Sequence, residues 1–145
     1  MKILIQRCSR AAVYVDEKCV GAIQHGLLLF IGIEKHDDQS ALNKMAAKVL
    51  TLRIFPDGEN KMNLNVGDVG GGVLVVSQFT LAADTRKGSR PGFSGAASPN
   101  HAKDIYDKFI SLLEKTHPNV KTGRFGADMK VELINDGPAT FLLNT

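Results

Sequence analysis

The feature that most constrains the fold is an uninterrupted apolar segment of seven residues, Leu27 to Ile33, with the sequence LLLFIGI. Side chains of a strand point alternately to its two faces, so such a run places apolar groups on both faces. Seven residues suit a strand and are far too few to span a bilayer as a helix. The segment therefore predicts a central strand in a sheet that is covered on each side.

Further segments have the composition of strands. Lys2 to Cys8 is one, and Ala11–Val15 and Cys19–Ile23 flank the turn residues Asp16-Glu17-Lys18, which predicts a hairpin. Residues 72–81, GVLVVSQFTL, begin as an apolar run and become polar at their end. Strand segments therefore account for a large part of the first eighty residues.

Arg7 lies on the same face of the first predicted strand as Ile3 and Ile5, so a charged group continues an apolar row. Two interpretations stay open. The arginine either occupies the solvent-exposed end of the strand, or it is directed at a carbonyl or a carboxylate.

Two segments have helical spacing instead. Apolar residues recur three and four positions apart over residues 38–52, and again from Ser98-Pro99, a cap residue followed by a first-turn proline, to His117-Pro118. Two helices cannot cover all the sheet surface that the strand segments would form. We therefore predict a single α/β domain over residues 1–145 in β/β/α layers, with two helices and with mixed β-sheets packed face to face, either within the chain or against a partner.

Composition bears on several function classes. No apolar segment is long enough for a membrane-spanning helix, and the first ten residues lack the apolar core of a signal peptide. Cys8 and Cys19 lack metal-binding spacing and the four histidines form no HExxH motif, so we expect no zinc site. We expect a cytoplasmic protein with free thiols. Its net charge of +3 is weak evidence for a polyanionic partner.

The candidate functional site is the polar end of residues 72–81, Ser77-Gln78-Phe79-Thr80. Ligands of α/β proteins gather beyond the carboxyl ends of strands. Strand alternation would place Ser77 and Phe79 on one face and Gln78 and Thr80 on the other. A hydroxyl nucleophile needs a base, and none is near in sequence, so catalysis by main-chain N–H groups in an oxyanion hole fits better. A strand that merely emerges into solvent explains these four residues equally well.

The next segment, Ala82 to Ala97, has no periodicity over sixteen residues, which is long for a connection in a compact domain. It carries Arg86, Lys87 and Arg90, with Phe93 after them. A basic cluster beside an aromatic ring suits an RNA backbone with a stacked base. A solvated loop with a few charges is the simpler interpretation.

Gly137 and Pro138 interrupt the last apolar strand signal, VELINDGPATFLLN, which begins at Val131. Proline cannot donate to a β-ladder and glycine weakens one. A hairpin turn is a sufficient explanation at this level, and composition gives no reason to prefer another.

Two of these stretches together resemble the paired signatures of the D-aminoacyl-tRNA deacylase (D-tyrosyl-tRNA deacylase) family. They are SQFTLAAD at 77–84 and NDGPAT at 135–140, and the segments ILIQR, RIFPDGENKMNLNV, YDKF and GRFGADM also fit, in family order. The resemblance covers essentially the whole chain and implies the fold of that family. It also implies a homodimer without metal or organic cofactor, which hydrolyses the ester of D-aminoacyl-tRNA and of glycyl-tRNA mischarged on tRNA-Ala, and spares L-aminoacyl-tRNA.

The resemblance further implies roles for particular residues. Ser77, Gln78, Phe79 and Thr80 would form the floor of the catalytic pocket, with main-chain N–H groups facing the ester carbonyl. Either Thr80 as a nucleophile or the 2′-OH of the terminal ribose would then drive hydrolysis.

A second group of implied residues binds the substrate. Phe125, Gly126 and Met129 would hold the terminal adenosine of the aminoacyl-tRNA. Gly137-Pro138 corresponds to a cis motif that enters the active site of the other subunit, where its carbonyls engage the α-amino group. Arg7 would hold this motif in place. Ala139 stands where the family often has valine, a small change outside the Gly-Pro pair.

Two other functions stay open. The charge and the basic loop suit a non-catalytic RNA- or DNA-binding protein on the same fold, although binding alone would not require both signature segments. The hydroxyl groups of Ser77 and Thr80 suit a hydrolase of small esters or peptides, although no base is identifiable for it.

Overall fold

A computed structural model describes residues 1–145 as eight strands, two α-helices and one short 3₁₀ helix. The helices are α1 (Gln39–Thr51) and α2 (Pro99–Thr116), and the 3₁₀ helix is Phe79–Ala82. The strands are β1 (Lys2–Val15), β2 (Lys18–Ile23), β3 (Gly26–Gly32), β4 (Phe55–Pro56), β5 (Met62–Leu64), β6 (Gly72–Ser77), β7 (Val120–Thr122) and β8 (Lys130–Asn144).

Six of the strands form one mixed sheet, in the order β2-β1-β3-β6-β7, with β8 paired to β1, and β4 and β5 form a separate pair. β3 is antiparallel to β1 on one side and parallel to β6 on the other. Leu27, Leu28 and Leu29 of β3 are fully buried. The prediction of a central strand covered on both faces is therefore confirmed.

The long strand β1 allows the sheet to fold back on itself. Its first part pairs with β3 and its last part pairs with β2, while β8 follows it on the other side. The helices cover one face of β3 and β6 through residues such as Val49 and Phe109. The other face, with Leu28 and Leu74, packs against Val13 and Ile23 from the β1–β2 end. Sheet thus packs on sheet within the chain, and the predicted fold class is confirmed.

Both predicted helices are present. The carboxylate of Asp38 caps α1 by accepting a hydrogen bond from Ala41 N at 2.9 Å. α2 begins with Pro99 at its first turn, but the Ser98 side chain makes no capping hydrogen bond, so its expected capping role is wrong. The buried Tyr106 hydroxyl of α2 donates to Val75 O at 2.9 Å and fixes this helix against β6.

Three local expectations differ from the structure. The two predicted strands over residues 2–8 and 11–15 are one continuous strand, β1, because β8 pairs with it along both parts. The strand predicted over residues 72–81 ends at Ser77. The closing segment is one strand, β8, and not a hairpin, because its residues on both sides of Gly137-Pro138 pair with the same strand.

Candidate active site

The chain leaves the sheet at Gln78. The Gln78 N–H donates to Ile31 O at 2.7 Å, and at Gln78 (φ −144°, ψ 76°) the backbone turns into the 3₁₀ helix. The first hydrogen bond of that helix runs from Leu81 N to Gln78 O, at 3.1 Å. The predicted alternation of Ser77 to Thr80 between two strand faces is wrong for this reason. Ser77, Gln78 and Phe79 border the space beyond the ends of β3 and β6.

A cavity of about 490 Å³ lies in this space. The ends of β3 and β6, the start of α2 and the loop 125–129 form its walls, and most of its lining is apolar. Its volume is within the range of small-molecule sites, which is about 300–1,000 Å³. The cavity brings together six of the predicted site residues: Ser77, Gln78, Phe79, Phe125, Gly126 and Met129.

The loop that carries three of these residues is held in a defined conformation. Gly126 has φ +75°, a left-handed value that favours glycine. The ring of Phe125 packs against Tyr106 of α2 with centroids 5.5 Å apart. Ala127 N donates to Arg124 O at 3.2 Å and closes the turn. The part of the cavity wall that this loop forms is therefore anchored to the helical layer.

Thr80 does not line the cavity. Its hydroxyl accepts a hydrogen bond from the side-chain amide of Gln78, which does line it. Phe79 and Thr80 are the first residues of the 3₁₀ helix, so their N–H groups have no acceptor within it. Phe79 lines the cavity and Thr80 follows it in the chain, and two successive free amides of this kind can stabilise negative charge that develops on a carbonyl oxygen.

The cavity contains almost no acid–base chemistry of its own. Asp128 is the one ionisable residue in its lining, and it is exposed and pairs with Lys130 at 3.5 Å. No group of three or more His, Cys, Asp or Glu residues is arranged to hold a metal ion. No helix is both long and apolar enough to cross a membrane. A reaction at this site would thus draw on backbone amides and the groups of the ligand.

Gly137 and Pro138 lie elsewhere, in a bulge of β8. Gln6 pairs with Thr140 and Cys8 pairs with Asn135, so residues 136–139 stand opposite Arg7 alone. The peptide bond between Gly137 and Pro138 is cis, as the resemblance implies. Both residues are exposed, and neither lines the cavity of its own chain.

Arg7 holds the start of this bulge. Its Nε donates to Asp136 O at 3.0 Å and pairs with the Asp136 carboxylate at 2.9 Å, while its Nη1 donates to Ile54 O. The Arg7 side chain is only 8% exposed. The second interpretation of Arg7, an arginine directed at a carbonyl and a carboxylate, is therefore confirmed. Sequence reasoning did not single out Asp136, whose position directly before Gly137 was the available signal.

β8 also has a free side. It pairs only with β1, so the backbone groups along its other edge have no partner strand. Ile134 and Leu142, on either side of the bulge, are 49% and 55% exposed. A long edge strand with exposed apolar side chains is a surface suited to pairing with another chain.

Comparison with solved structures defines the class of fold. A structure described as the c-Myc DNA Unwinding Element Binding Protein has a TM-score of 0.95 at 38% identity, and the match covers 100% of this chain and 99% of that one. A structure described as a probable eukaryotic D-amino acid tRNA deacylase has a TM-score of 0.81 at 18% identity, with 98% and 97% covered. The second likeness shows the fold alone.

Comparison of sequences identifies the family. The sequence model described as D-Tyr-tRNA(Tyr) deacylase matches residues 4–144. The D-aminoacyl-tRNA deacylase of Teredinibacter turnerae is 59% identical over 145 residues, which are 100% of both chains. The chain belongs to the D-Tyr-tRNA(Tyr) deacylase family, and the family resemblance of its sequence is confirmed.

Proposed function

We propose that this protein hydrolyses the ester between a D-amino acid and the 3′-terminal adenosine of tRNA, and that it spares L-aminoacyl-tRNA. The observation that carries the proposal is the apolar cavity beside the first amides of the 3₁₀ helix, in whose lining Asp128, exposed and paired with Lys130, is the one ionisable residue. Membership of the deacylase family supports the same reaction. The cytoplasm, where aminoacyl-tRNA is used, is the expected compartment.

The terminal adenosine occupies the cavity in this proposal, against Phe125, Gly126 and Met129. Its ester carbonyl then faces the N–H groups of Phe79 and Thr80. Water adds to the carbonyl carbon, the oxygen gains negative charge that the amides stabilise, and the bond to the ribose oxygen breaks. That ribose oxygen leaves with a proton. Because the one carboxylate in the lining, Asp128, is exposed and paired with Lys130, the neighbouring 2′-OH of the ribose assists the proton transfer, and the Thr80 hydroxyl is secondary.

Chiral selection comes from Gly137-Pro138 of a second copy of the chain. The pair is exposed and lies off the cavity of its own chain, so it is available to a neighbour. Its carbonyls fix the α-amino group of the substrate, and an L side chain then meets the motif while a D side chain points to open space. Affinity for the side chain alone would discriminate poorly between the D and L esters, because both carry the same side chain. Even an additional methylene is worth only about 1–3 kcal/mol of binding energy. Glycine has no side chain to clash and is therefore hydrolysed too, as in glycyl-tRNA mischarged on tRNA-Ala.

The second copy docks on the β8 side of the molecule. Three observations support a homodimer there: the free edge of β8, the exposed Ile134 and Leu142, and the Gly-Pro bulge between them. Arg7 serves this function by fixing the position of Asp136, the residue before the motif. The dimer thus completes two sites, each with a cavity from one chain and a motif from the other.

The test is to incubate the protein with matched D- and L-aminoacyl-tRNA and to measure deacylation as release of the free amino acid. We expect rapid hydrolysis of the D ester, measurable hydrolysis of the glycyl ester and none of the L ester. Equal rates for the D and L esters, or no hydrolysis of either, would refute the proposal.

The role of the 2′-OH is tested separately. Thr80→Ala should keep most of the activity, and tRNA that ends in 2′-deoxyadenosine should be a poor substrate. A large loss in Thr80→Ala together with normal hydrolysis of the 2′-deoxy substrate would assign the nucleophile to Thr80 instead.

A second candidate function is nucleic-acid binding without catalysis on the same fold. The name of the relative at TM-score 0.95, a DNA unwinding element binding protein, favours this candidate. Tight binding of a DNA duplex by a protein that leaves D-aminoacyl-tRNA intact would support it over the deacylase.

A further inference from the structure

The segment after the 3₁₀ helix has a basic tip, residues 85–91. We propose that this basic tip binds phosphates at the acceptor end of tRNA, so that the acceptor end leaves the cavity over the tip. The inference rests on the proposed function and adds the path of the RNA to it.

The base of the basic tip is fixed to the site. Asp84 and Gly92 exchange two backbone hydrogen bonds, of 2.7 and 2.8 Å, which close the segment below the tip. Further along, Ala97 N donates to Ile33 O at 3.0 Å, next to the end of β3. Residues 85–91 themselves are all exposed. The tip therefore projects into solvent from a base with a defined position.

An aromatic contact joins the same segment to the cavity. The ring of Phe93 lies against the ring of Phe79, with centroids 5.1 Å apart, and Phe79 lines the cavity. Lys87 follows Thr80 by seven residues, so the two are separated by at most about 25 Å even in a fully extended chain. A strand of RNA whose last nucleotide fills the cavity can therefore reach the tip with one of its first few phosphates.

The charges of the basic tip are arranged for an anion from outside the chain. Arg86 is already bound to Asp84, with its Nη2 at 2.7 Å from the carboxylate, and this contact holds the pKa of Asp84 well below its usual range. Lys87 and Arg90 have neither an ion pair nor a hydrogen bond from their side chains within the chain. Two exposed and unpaired cations on a segment whose base is fixed beside the site favour binding of a polyanion through release of its counterions.

The test compares two substrates in the double variant Lys87→Ala/Arg90→Ala. One is full-length D-aminoacyl-tRNA, and the other is 3′-O-D-aminoacyl-adenosine, which contains no phosphate. We expect KM for the tRNA to rise about tenfold with kcat unchanged, and the dependence of log KM on log salt to weaken by about 1.4, the value for two phosphate contacts on a single strand. Hydrolysis of the aminoacyl-adenosine should be unchanged.

Two control variants separate position from charge. Lys44→Ala/Lys48→Ala removes the same charge from exposed positions of α1, away from the cavity, and should leave KM for the tRNA unchanged. Lys87→Arg/Arg90→Lys keeps the charge of the tip and should retain most of the affinity. An unchanged KM in the alanine variant, the same increase in the α1 control, or an equal loss with the aminoacyl-adenosine would overturn the inference. Failure of the unmodified protein to hydrolyse either D substrate would instead overturn the proposed function.

Discussion

Arg7 is the buried cation whose removal tests most sharply how the Gly-Pro bulge is held. Its guanidinium contacts Asp136 through both the carbonyl and the carboxylate, and it also donates to Ile54 O. The change Arg7→Ala removes all of these contacts and leaves the carbonyl of the buried Ile54 without this donor. We expect a large loss of stability and a bulge that is no longer fixed.

The magnitude follows from burial of the two partners. Removing one member of a buried ion pair costs about 3–5 kcal/mol, mainly because the other charge is left uncompensated. The Asp136 side chain is 44% exposed and can be hydrated, which places this case at the lower end. We therefore expect the free energy of unfolding to fall by about 3 kcal/mol, which corresponds to about 6–12 °C in Tm for a domain of this size.

The assay is urea unfolding followed by circular dichroism at one fixed protein concentration, because the proposed dimer would make stability concentration-dependent. Arg10→Ala is the matched control, since Arg10 is an exposed arginine of the same strand and should change stability by less than about 0.5 kcal/mol. Asp136→Ala keeps the backbone carbonyl but leaves the buried Arg7 guanidinium without its carboxylate, so it should also cost about 3 kcal/mol. A loss below about 1 kcal/mol in Arg7→Ala, or an equal loss in Arg10→Ala, would refute this reasoning.

Three further predictions concern the core. Gly26→Ala would place a Cβ 2.0 Å from Gly72 O and should cost about 3 kcal/mol in urea unfolding or prevent folding. The control Gly58→Ala, with nothing within 4 Å of its Cβ, should leave the free energy of unfolding unchanged. Equal losses of stability in the two variants would contradict the packing argument. Tyr106→Phe removes one of the two donors to Val75 O, since Gly123 N also donates to this oxygen, and should lower the free energy of unfolding by about 1 kcal/mol. An unchanged stability in thermal unfolding would contradict a stabilising role of the Tyr106 hydroxyl. Burial raises the pKa of the Cys8 thiol from 9.0 to about 11, so at pH 8 a thiol reagent should modify only the exposed Cys19. The same shift favours the protonated thiol in the folded state, so its contribution to stability is complete below pH 9.0 and is lost as the pH rises to about 11. This decline should be shallower in Cys8→Ala, and two fast-reacting native thiols or an unchanged pH profile would contradict the assignment.

The core strands and helices could be predicted from the sequence because the patterns that indicate them are local. The apolar run Leu27 to Ile33 and the two helical periodicities need no knowledge of distant residues, and each appears in the structure close to its predicted bounds. The sheet-on-sheet packing also follows from counting surfaces, since two helices cover only one face. The short strands β5 and β7, each of three residues, carry too little periodicity to predict.

The site could be predicted in part. The polar end of β6 marked it, but the turn at Gln78 depends on where the ladder to Ile31 ends, which is a non-local property. The same holds for Arg7, whose partners Asp136 and Ile54 are 129 and 47 residues away. The walls of the cavity come from β3, β6, α2 and the loop 125–129, so its shape emerges only from the folded chain.

The most direct test of the central claim is a crystal structure of the protein bound to a non-hydrolysable amide analogue of 3′-D-aminoacyl-adenosine. The account predicts adenosine in the cavity, the amide carbonyl oxygen about 3 Å from the N–H groups of Phe79 and Thr80, and the α-amino group against Gly137-Pro138 of a second copy. Adenosine bound outside the cavity, a Gly-Pro motif supplied by the same copy, or an L analogue bound in the same way would contradict it.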